Sequence, residues 1–439
     1  MTSKNSDSNQ ELMEKISNLA KRRGFVYPSA EIYGGIGAIY DFGPLGTALK
    51  RNIRDLWWQR FVTSRNDIVG IESAIITKRE VLQASGHEAS FSDELAECRV
   101  CQERFRVGED IPEGKGHKHE LTKPRQFNLI FRTHVGPTED EDSLAYLRPE
   151  TAQGMFTNFK NILDTTRVKV PFGIAQIGKS FRNEITTGEW LFRLREFEIA
   201  EIEYFVKPGT DEKWFKTWVG EWEKFFTDLG IKKENLKLYE HPKASLAHYS
   251  KATTDINYHF PIGWKELAGI ANRTDYDLKA HVEKSGRDLS FFDEETKEKF
   301  TPYVIEPTMG IERAFFAILT DAYDEEADGD EVRSVLRFDP KVAPVKVAVF
   351  PLQKDEPLVK IAKEIYDELK EKWAVQYDQS GSVGRRYRRQ DEIGTSYCVT
   401  VDFDSLKDKK VTVRDRDSMK QERVLITKLS EYLSKKLNQ

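Results

Sequence analysis

The pattern of hydrophobic residues changes near Pro340, and this change constrains the fold more than any other feature. Between residues 126 and 205 short β-rich segments alternate with turns, which predicts an antiparallel sheet with long loops. Beyond residue 340, VKVAVFPL predicts a strand, LVKIAKEIYDELKEKW an amphipathic helix and YCVTVDF a second strand, an order typical of a compact α/β domain. A chain of 439 residues also exceeds what one hydrophobic core usually serves. We predict domains over residues 1–340 and 341–439.

Other segments have simpler interpretations. Trp214, Trp218 and Trp222 follow one another at helical spacing, which predicts a helix packed against the core rather than a cofactor site. The acidic run at residues 321–331 interrupts the pattern and predicts a solvated turn or a frayed helix end. A polar, charged segment at about residues 88–125 predicts an inserted subdomain.

Charge and cysteine content limit the classes of function. The 68 Lys and Arg residues against 73 Asp and Glu residues give a net charge of −5, so a nucleic-acid site must be a local patch. The first ten residues are polar, and the sequence has no run of 18 apolar residues, which predicts no membrane partner and a cytoplasmic protein. Three cysteines are too few for the disulfide framework of a secreted protein.

Residues 178–203 concentrate the groups that suit a nucleotide. Phe-Arg-Asn-Glu is followed by a loop and then by Arg-x-Arg-Glu-Phe, which brings three arginines and several carboxylates into one short segment. Guanidinium groups stay charged and present a planar fork of donors that matches phosphate. A surface face of salt bridges is the alternative, and composition alone leaves both open.

Five ordered motifs resemble one enzyme family. FRNE at 181–184 resembles motif 2 of class II aminoacyl-tRNA synthetases, and GIER at 310–313 resembles their motif 3. Upstream, GGIGAIYDFGPLG with the helical LKRNIRDLWW resembles motif 1 of the glycyl-tRNA synthetases, which in that class builds the dimer interface. With LRPETAQG, WKELAGIANRTDYDL and EPTMGIER, the resemblance covers nearly the whole chain.

The resemblance implies an α+β class II catalytic domain, an antiparallel sheet flanked by helices, with a C-terminal α/β anticodon-binding domain. The implied activity is that of an ATP-dependent glycine–tRNA ligase, with ATP, Mg²⁺, glycine and tRNA(Gly) as partners and a homodimer as the unit. Two alternatives remain: a class II synthetase for another amino acid, and a non-catalytic, synthetase-like protein that binds nucleic acid.

The family's ATP site transfers to this sequence residue by residue. Arg182 would bind the α-phosphate and the glycine carboxylate, and Glu184 would lie near the adenine and the terminal adenosine of tRNA. Arg193 and Arg313 would hold the β- and γ-phosphates, and Glu266 would bind Mg²⁺, unless it is only a structural carboxylate. The implied catalytic residues are Arg182, Glu184 and Arg313. The implied ATP set is Arg182, Asn183, Glu184, Phe192, Arg193, Arg195, Glu196, Phe197, Glu266, Leu267, Gly310, Ile311, Glu312 and Arg313.

A site for glycine must bind an ammonium group and leave no room for a side chain. The resemblance nominates Glu150, Glu201 and Glu306 as an acidic wall, although each could be only a buried, hydrogen-bonded carboxylate. Rejection of alanine needs steric exclusion, because one methyl group discriminates by only about 1 to 3 kcal/mol. Thr308 stands where the family often has serine, which narrows or shifts the pocket. The implied glycine set is Arg106, Glu150, Phe197, Glu201, Glu306, Thr308 and Gly310.

Two further segments carry weaker signals. Cys98, Cys101, His117 and His119 could bind a structural Zn²⁺ tetrahedrally, although the family's second Cys-x-x-Cys is missing and the histidines could simply be exposed. The basic run at 381–394 combines arginines with an aromatic residue, which suits contacts with tRNA, while a solvated basic face is the alternative. The implied tRNA-binding residues are Arg385, Arg386, Tyr387, Arg388 and Arg389.

Overall fold

The computed structural model describes residues 2–108, 111, 116–185, 189–247, 249–329 and 331–438. The predicted insertion, the loop that follows FRNE and the acidic run each include residues outside these ranges. Of the helices in the described ranges, none combines the length and apolar character needed to cross a membrane.

Helices and strands are numbered in chain order. The described α-helices are α1 (Thr2–Arg23), α2 (Pro44–Trp58), α3 (Arg79–Ala84), α4 (His87–Ser90), α5 (Ala152–Thr157), α6 (Phe159–Thr165), α7 (Asp211–Asp228), α8 (Tyr276–Ser285), α9 (Ile311–Ala322), α10 (Glu356–Leu369), α11 (Val383–Ile393), α12 (Ser405–Asp408) and α13 (Leu429–Leu437). The strands are β1 (Val26–Pro28), β2 (Tyr40–Phe42), β3 (Ile68–Gly70), β4 (Ile76–Lys78), β5 (Ser92–Glu97), β6 (Arg104–Arg106), β7 (Arg125–Asn128), β8 (Arg132–His134), β9 (Leu144–Leu147), β10 (Phe172–Phe181), β11 (Glu196–Val206), β12 (Leu236–Glu240), β13 (Ala252–Phe260), β14 (Gly263–Thr274), β15 (Phe291–Phe292), β16 (Lys299–Phe300), β17 (Tyr303–Gly310), β18 (Tyr323–Asp328), β19 (Glu331–Leu336), β20 (Val347–Pro351), β21 (Val375–Tyr377), β22 (Tyr397–Val401), β23 (Lys410–Asp415) and β24 (Gln421–Leu425).

A seven-stranded sheet organises the N-terminal part of the chain. Its strand order is β12-β13-β14-β17-β11-β10-β3, and every pairing is antiparallel except β10 with β3. The antiparallel sheet predicted from the sequence is therefore confirmed. Helix α7 packs on this sheet and buries Trp218 and Trp222, whose rings lie 6.0 and 4.5 Å from that of Phe61. The tryptophan repeat belongs to the core, as predicted.

The acidic run forms part of a β-hairpin, so the prediction of a solvated turn or frayed helix end is wrong. Strand β18 pairs antiparallel with β19 in the register Tyr323↔Leu336. Its carboxylates are neutralised by arginines: Arg337 lies 2.9 Å from Asp324 and 2.7 Å from Glu326. These ion pairs balance the negative charge of Asp324 and Glu326 within the protein, so the segment can form a strand.

The C-terminal part contains a second, five-stranded sheet. Its order is β21-β20-β22-β23-β24, with β20 parallel to both neighbours and the remaining pairs antiparallel. Helices α10 and α13 cover it with a separate hydrophobic core. The predicted strand, helix and strand are present as β20, α10 and β22. The boundary at residue 340 stays a prediction.

Buried ion pairs join helix α11 of the C-terminal part to the rest of the chain. Asp391 accepts hydrogen bonds from Arg333 of the β18–β19 hairpin at 2.8 Å and from Arg414 of β23 at 2.9 and 3.1 Å. At the next position, Glu392 pairs with Arg23 at the end of α1. The hairpin and α1 thus hold α11 at neighbouring residues.

Candidate active site

A pocket opens over the middle of the seven-stranded sheet. Its walls come from β11, β14, β17, the start of α9 and the segment between β10 and β11. The residues that line it are Arg182, Glu184, Leu191, Phe192, Arg193, Leu194, Phe197, Ile199, Glu266, Leu267, Thr308, Met309, Gly310, Glu312 and Arg313. Most of the ATP set implied by the sequence motifs therefore surrounds one cavity.

Arg182 is held in a fixed position on the pocket wall. Its guanidinium carbon lies 5.3 Å from the ring centroid of Phe91 and 5.5 Å from that of Phe197. Its Nε atom donates to the Pro149 carbonyl at 3.0 Å. Contact with aromatic faces and one hydrogen bond leave little rotational freedom, which is the preorganisation that binding of a phosphate requires.

Arg313 and Glu266 form an ion pair in the same pocket. The Nη1 atom of Arg313 lies 3.1 Å from Oε2 of Glu266, and its guanidinium stacks 4.4 Å from the Phe192 ring centroid. Arg313 is the main reason that the pKa of Glu266 lies below its usual value, so this carboxylate stays anionic. A cation suited to phosphate and a carboxylate suited to Mg²⁺ are thus neighbours.

Glu184 lies deeper than an ordinary surface carboxylate. Burial raises its pKa, against the opposing effect of Arg182 and Arg193. Arg106 is close enough to lower it as well, and Arg106 itself pairs with Asp93 at 2.7 Å. The strand that carries Arg106 belongs to the three-stranded sheet β6-β5-β7, which brings the insertion to the edge of the pocket.

Four residues of the implied ATP set do not line the pocket: Asn183, Arg195, Glu196 and Ile311. Arg195 bridges two loops, with Nη1 donating to the Gly37 carbonyl at 2.8 Å and Nη2 to the Glu184 carbonyl at 3.0 Å. Glu196 pairs with Lys179, and Ile311 is buried in the core.

Glu312 lines the pocket but uses its carboxylate elsewhere. It accepts hydrogen bonds from Lys50 at 2.6 Å and from the Glu198 amide at 2.9 Å. The charged groups of Glu312 and Arg195 are both engaged in hydrogen bonds with other parts of the protein. Their role in this structure is therefore to hold the segments that form the pocket wall.

A cluster of buried carboxylates lies farther along the same strands. One carboxylate oxygen from each of Glu201, Glu203 and Glu306 falls within 4.8 Å of the others. Alternation along β11 puts Glu201 and Glu203 on one face, and the neighbouring strand β17 supplies Glu306. Glu203 was not predicted from the sequence, although its i, i+2 spacing from Glu201 on a strand is the signal that identifies it.

Burial and neighbouring charges shift the pKa values of these carboxyl groups in different directions. Burial, with Glu306 as a further cause, raises the pKa of both Glu201 and Glu203 well above the usual value. For Glu150 burial acts in the same direction, but His87 and Arg273 outweigh it and hold the pKa below its usual value. The wall therefore combines two carboxyl groups whose ionisation is disfavoured with one whose anion is stabilised.

Arg273, which the sequence motifs did not nominate, is the buried counter-charge. It donates to Asp277 at 2.7 and 2.8 Å and to Glu306 at 2.9 Å, and it stacks 4.0 Å from the Tyr249 ring centroid. Although burial lowers its pKa, Asp277 and Glu306 raise it well above the usual value. Arg273 lies on β14 and Asp277 on α8, so their spacing follows no single helix and gave no sequence signal.

Thr308 occupies the boundary between the pocket and the carboxylates. It pairs with Glu201 on one side and Gly269 on the other. Residues paired across antiparallel strands share a face, so Thr308 stands beside Glu201. A Cβ atom added at Gly269 would lie 4.0 Å from the Thr308 methyl group, an ordinary van der Waals contact, so this methyl group borders the strand edge at Gly269.

The four predicted zinc ligands lie together in the insertion. Possible ligand atoms of Cys98, Cys101, His117 and His119 all fall within 4.8 Å of one another. The Cys98 Sγ atom lies 3.8 Å from His117 Nε2, and Cys101 Sγ lies 3.7 Å from His119 Nδ1. Two thiol and two imidazole groups at this separation can converge on one tetrahedral ion.

The basic run lies on α11, and the structure corrects one of its predicted roles. Arg386 is only 2% exposed and donates to the carbonyls of Pro351 and Leu352, so it is a structural residue and cannot reach RNA. Arg385 is exposed, and Arg389 is half-buried against Asp378.

The two other residues of the run, Tyr387 and Arg388, are also half-buried. The Tyr387 hydroxyl is 2.6 Å from Thr400 Oγ1, which ties this side chain to the neighbouring strand β22. Of the predicted set, Arg385 therefore presents the most accessible cation.

Comparisons with known proteins agree with this geometry. Residues 131–323 match the family model described as tRNA synthetase class II core domain (G, H, P, S and T), and residues 346–436 match the anticodon binding domain. The glycine–tRNA ligase of Thermobifida fusca is 52% identical over 97% of this chain and 98% of its own length. That of Caldanaerobacter subterraneus subsp. tengcongensis is 53% identical with the same coverage. The chain belongs to the glycine–tRNA ligase family.

A solved structure supports the fold of this glycine–tRNA ligase family member. The prolyl-tRNA synthetase from Cryptosporidium parvum, complexed with halofuginone and AMPPNP, matches with a TM-score of 0.68 over 96% of this chain and 76% of that one. Its sequence identity of 17% restricts the comparison to the fold. The chain thus has a class II synthetase core followed by an anticodon-binding domain.

Proposed function

We propose that this protein is a glycine–tRNA ligase, which activates glycine with ATP to glycyl-adenylate and transfers the glycyl group to the 3′ end of tRNA(Gly). One observation carries the proposal: strand β11 bears Phe197 at the arginine-lined pocket and Glu201 at the buried carboxylates. Four residues of strand span about 13 Å at about 3.3 Å per residue. An aminoacyl phosphate joined to a nucleoside can lie along this line.

Positioning and charge account for the first step. The glycine carboxylate attacks the α-phosphorus of ATP, pyrophosphate leaves, and the charge on the phosphoryl oxygens falls beside Arg182. Such a reaction needs alignment and fixed cations more than a covalent intermediate. Arg313 and Arg193 would hold the leaving phosphates, while Glu266, released from Arg313, would bind Mg²⁺.

Charge balance favours an amino acid at the carboxylate end. Within the described residues, two buried guanidinium groups lie among five acidic side chains. Arg273 interacts with Glu150, Glu203, Glu306 and Asp277, and Arg148 interacts with Glu201. Buried carboxylates are stable only when they are paired or protonated. The ammonium group of glycine would supply the missing positive charge, and Thr308 would exclude a larger side chain.

The insertion would hold one structural Zn²⁺ through Cys98, Cys101, His117 and His119. The proximity of four soft or borderline ligand groups supports this assignment. The ion would hold strand β6, which carries Arg106, at the edge of the pocket. The role of the ion would be structural, because four protein ligands leave no open coordination position.

We further propose a cytoplasmic homodimer that contacts tRNA through α11. Ile32 and Tyr33, immediately before the motif 1 segment, are 87% and 86% exposed, as expected for apolar residues that a second subunit covers. Arg385 would make the main contact with RNA, and Arg388 and Arg389 would lie beside it.

Light scattering tests the homodimer by measuring the molar mass in solution. The substitution Tyr33→Glu should lower this mass from that of two chains to that of one.

Pyrophosphate exchange with each of the twenty amino acids tests the function. Exchange with glycine is expected, and stronger exchange with another amino acid would reassign the substrate. Arg182→Ala should abolish exchange without changing the mass, because it removes the cation beside the α-phosphate. Arg287→Ala is a matched control, since Arg287 is exposed and lies outside the lining of the pocket. Equal inactivity of wild type and Arg182→Ala would favour the non-catalytic alternative.

A further inference from the structure

We propose that His87 is a positioning residue of the glycine site, which orients the Glu150 carboxylate toward the substrate ammonium group. The inference rests on the proposed function. His87 is the first residue of α4 and belongs to none of the motifs that indicated the active site.

Both ring nitrogens of His87 have partners. Nε2 lies 3.2 Å from Oε2 of Glu150, and Nδ1 lies 2.8 Å from the Ser85 hydroxyl. Only 11% of the His87 side chain and 13% of that of Glu150 are exposed. Rotation of the imidazole would break both contacts, so its orientation is fixed. Gly86 enables this turn because its φ of 81° is unfavourable for other residues.

The opposite oxygen of the carboxylate is fixed as well. Gln153 donates from Nε2 to Oε1 of Glu150 at 2.9 Å and to Asp277 at 3.2 Å, and its own oxygen lies 2.9 Å from His281 Nε2. A carboxylate has about four acceptor positions. His87 and Gln153 occupy one on each oxygen, which leaves one on each for an ammonium group.

Ser85 allows His87 to serve in either protonation state. When the Ser85 hydroxyl donates to Nδ1, the imidazole is neutral and Nε2–H faces Glu150. When that hydroxyl instead donates to the Leu82 carbonyl, 3.4 Å away, its oxygen can accept from Nδ1–H and the ring can be cationic. Glu150 faces an N–H donor in both states.

The electrical surroundings make this contact important. Burial raises the pKa of Glu150, and His87 is the largest influence that opposes it. The titratable, charged and hydrogen-bonding groups that act on Glu150 or on the carboxylates beside it include His87, Gln153, Arg148, Glu201, Glu203, Tyr249, Arg273, Asp277 and Glu306. His87 also packs 5.2 Å from Phe91, whose ring contacts Arg182.

The test compares His87→Ala with His87→Gln in glycine-dependent pyrophosphate exchange. His87→Ala should raise the KM for glycine at least tenfold and leave the KM for ATP unchanged. Glutamine can place an amide donor near the Nε2 position but carries no charge, so His87→Gln should recover part of the KM. In both variants the acid limb of kcat/KM for glycine should move to higher pH, because burial of Glu150 is then opposed less.

His134→Gln is the matched control. His134 is exposed and lies 2.8 Å from the Ser143 hydroxyl through Nδ1, so it reproduces the serine contact away from the site. Its kinetics should equal those of wild type. Thermal unfolding of each variant identifies loss of folding, and His87→Gln keeps the test decisive if His87→Ala does not fold.

Two results would overturn the role of His87. One is an unchanged KM for glycine in folded variants. The other is a loss that is equal for glycine and ATP at every pH, which a purely structural residue would cause. Exchange with glycine by the wild-type protein separates this failure from a failure of the proposed function.

Discussion

Replacing Asp391 by asparagine should destabilise the protein strongly and leave glycine activation intact. Asp391 accepts three hydrogen bonds from Arg333 and Arg414, and these side chains are nearly inaccessible to solvent. Removing one partner of a buried ion pair costs about 3 to 5 kcal/mol. Because asparagine keeps the shape and one acceptor oxygen, we expect about 3 kcal/mol, the lower end of that range.

Urea unfolding followed by circular dichroism measures this loss. For a slope of about 2 kcal/mol per molar urea, the transition that reports the α11 region should move down by about 1.5 M. Asp408→Asn is the matched control, because Asp408 also binds an arginine through two oxygens, at 3.0 and 2.9 Å, but on the surface. Its effect should stay below about 1 kcal/mol.

The kinetic comparison adds a second criterion. Asp391 lies outside the pocket lining, so pyrophosphate exchange by Asp391→Asn should match wild type below the unfolding transition. Aminoacylation of tRNA should fall, since α11 loses its anchor to the β18–β19 hairpin. Equal urea shifts for Asp391→Asn and Asp408→Asn would refute the claim that burial makes this network strong.

Two further predictions concern the carboxylate cluster and the insertion. The pKa of Glu203 is raised in the folded protein, so its stabilising effect is full below the ordinary glutamate pKa of about 4.3 and is lost as pH rises toward the folded value. Wild type should therefore lose thermal stability relative to Glu203→Gln as the pH rises above about 4.3, and parallel curves of Tm against pH for the two proteins would contradict this. Cys98→Ser should lower the zinc content from about one ion per chain to near zero by atomic emission, and expose residues 88–125 to protease. Cys398→Ser, at a buried thiol in β22, should keep the metal.

The sequence predicted best what lies within contiguous motifs. Arg182 and Arg313 could be assigned because each sits in a short block, and the folded chain brings both to one pocket. His87 and Arg273 could not be assigned to the site, because the residues that they contact there, Glu150 and Glu306, are distant from them in the sequence. Nothing local distinguishes them from ordinary polar residues.

Two predictions from the sequence were wrong, the RNA-binding role of Arg386 and the structure of the acidic run, and each has a physical cause. Arg386 was grouped with its basic neighbours, yet Arg386, Gln390 and Ile393 follow one another at helical spacing and form the buried face of α11. The acidic run at 321–331 was interpreted from charge alone. Its pairing with Arg333 and Arg337 depends on residues of the returning strand and the segment after it.

The raised pKa values of Glu201 and Glu203 would make the binding of a cation beside them a proton-linked event. Burial and repulsion between neighbouring carboxylates penalise the anions of Glu201 and Glu203. An incoming ammonium group would favour these anions, so its binding would be accompanied by proton release wherever the carboxyl groups are still protonated. The heat measured by titration calorimetry would then depend on the ionisation enthalpy of the buffer, and affinity would increase with alkalinity until the carboxyl groups are already ionised.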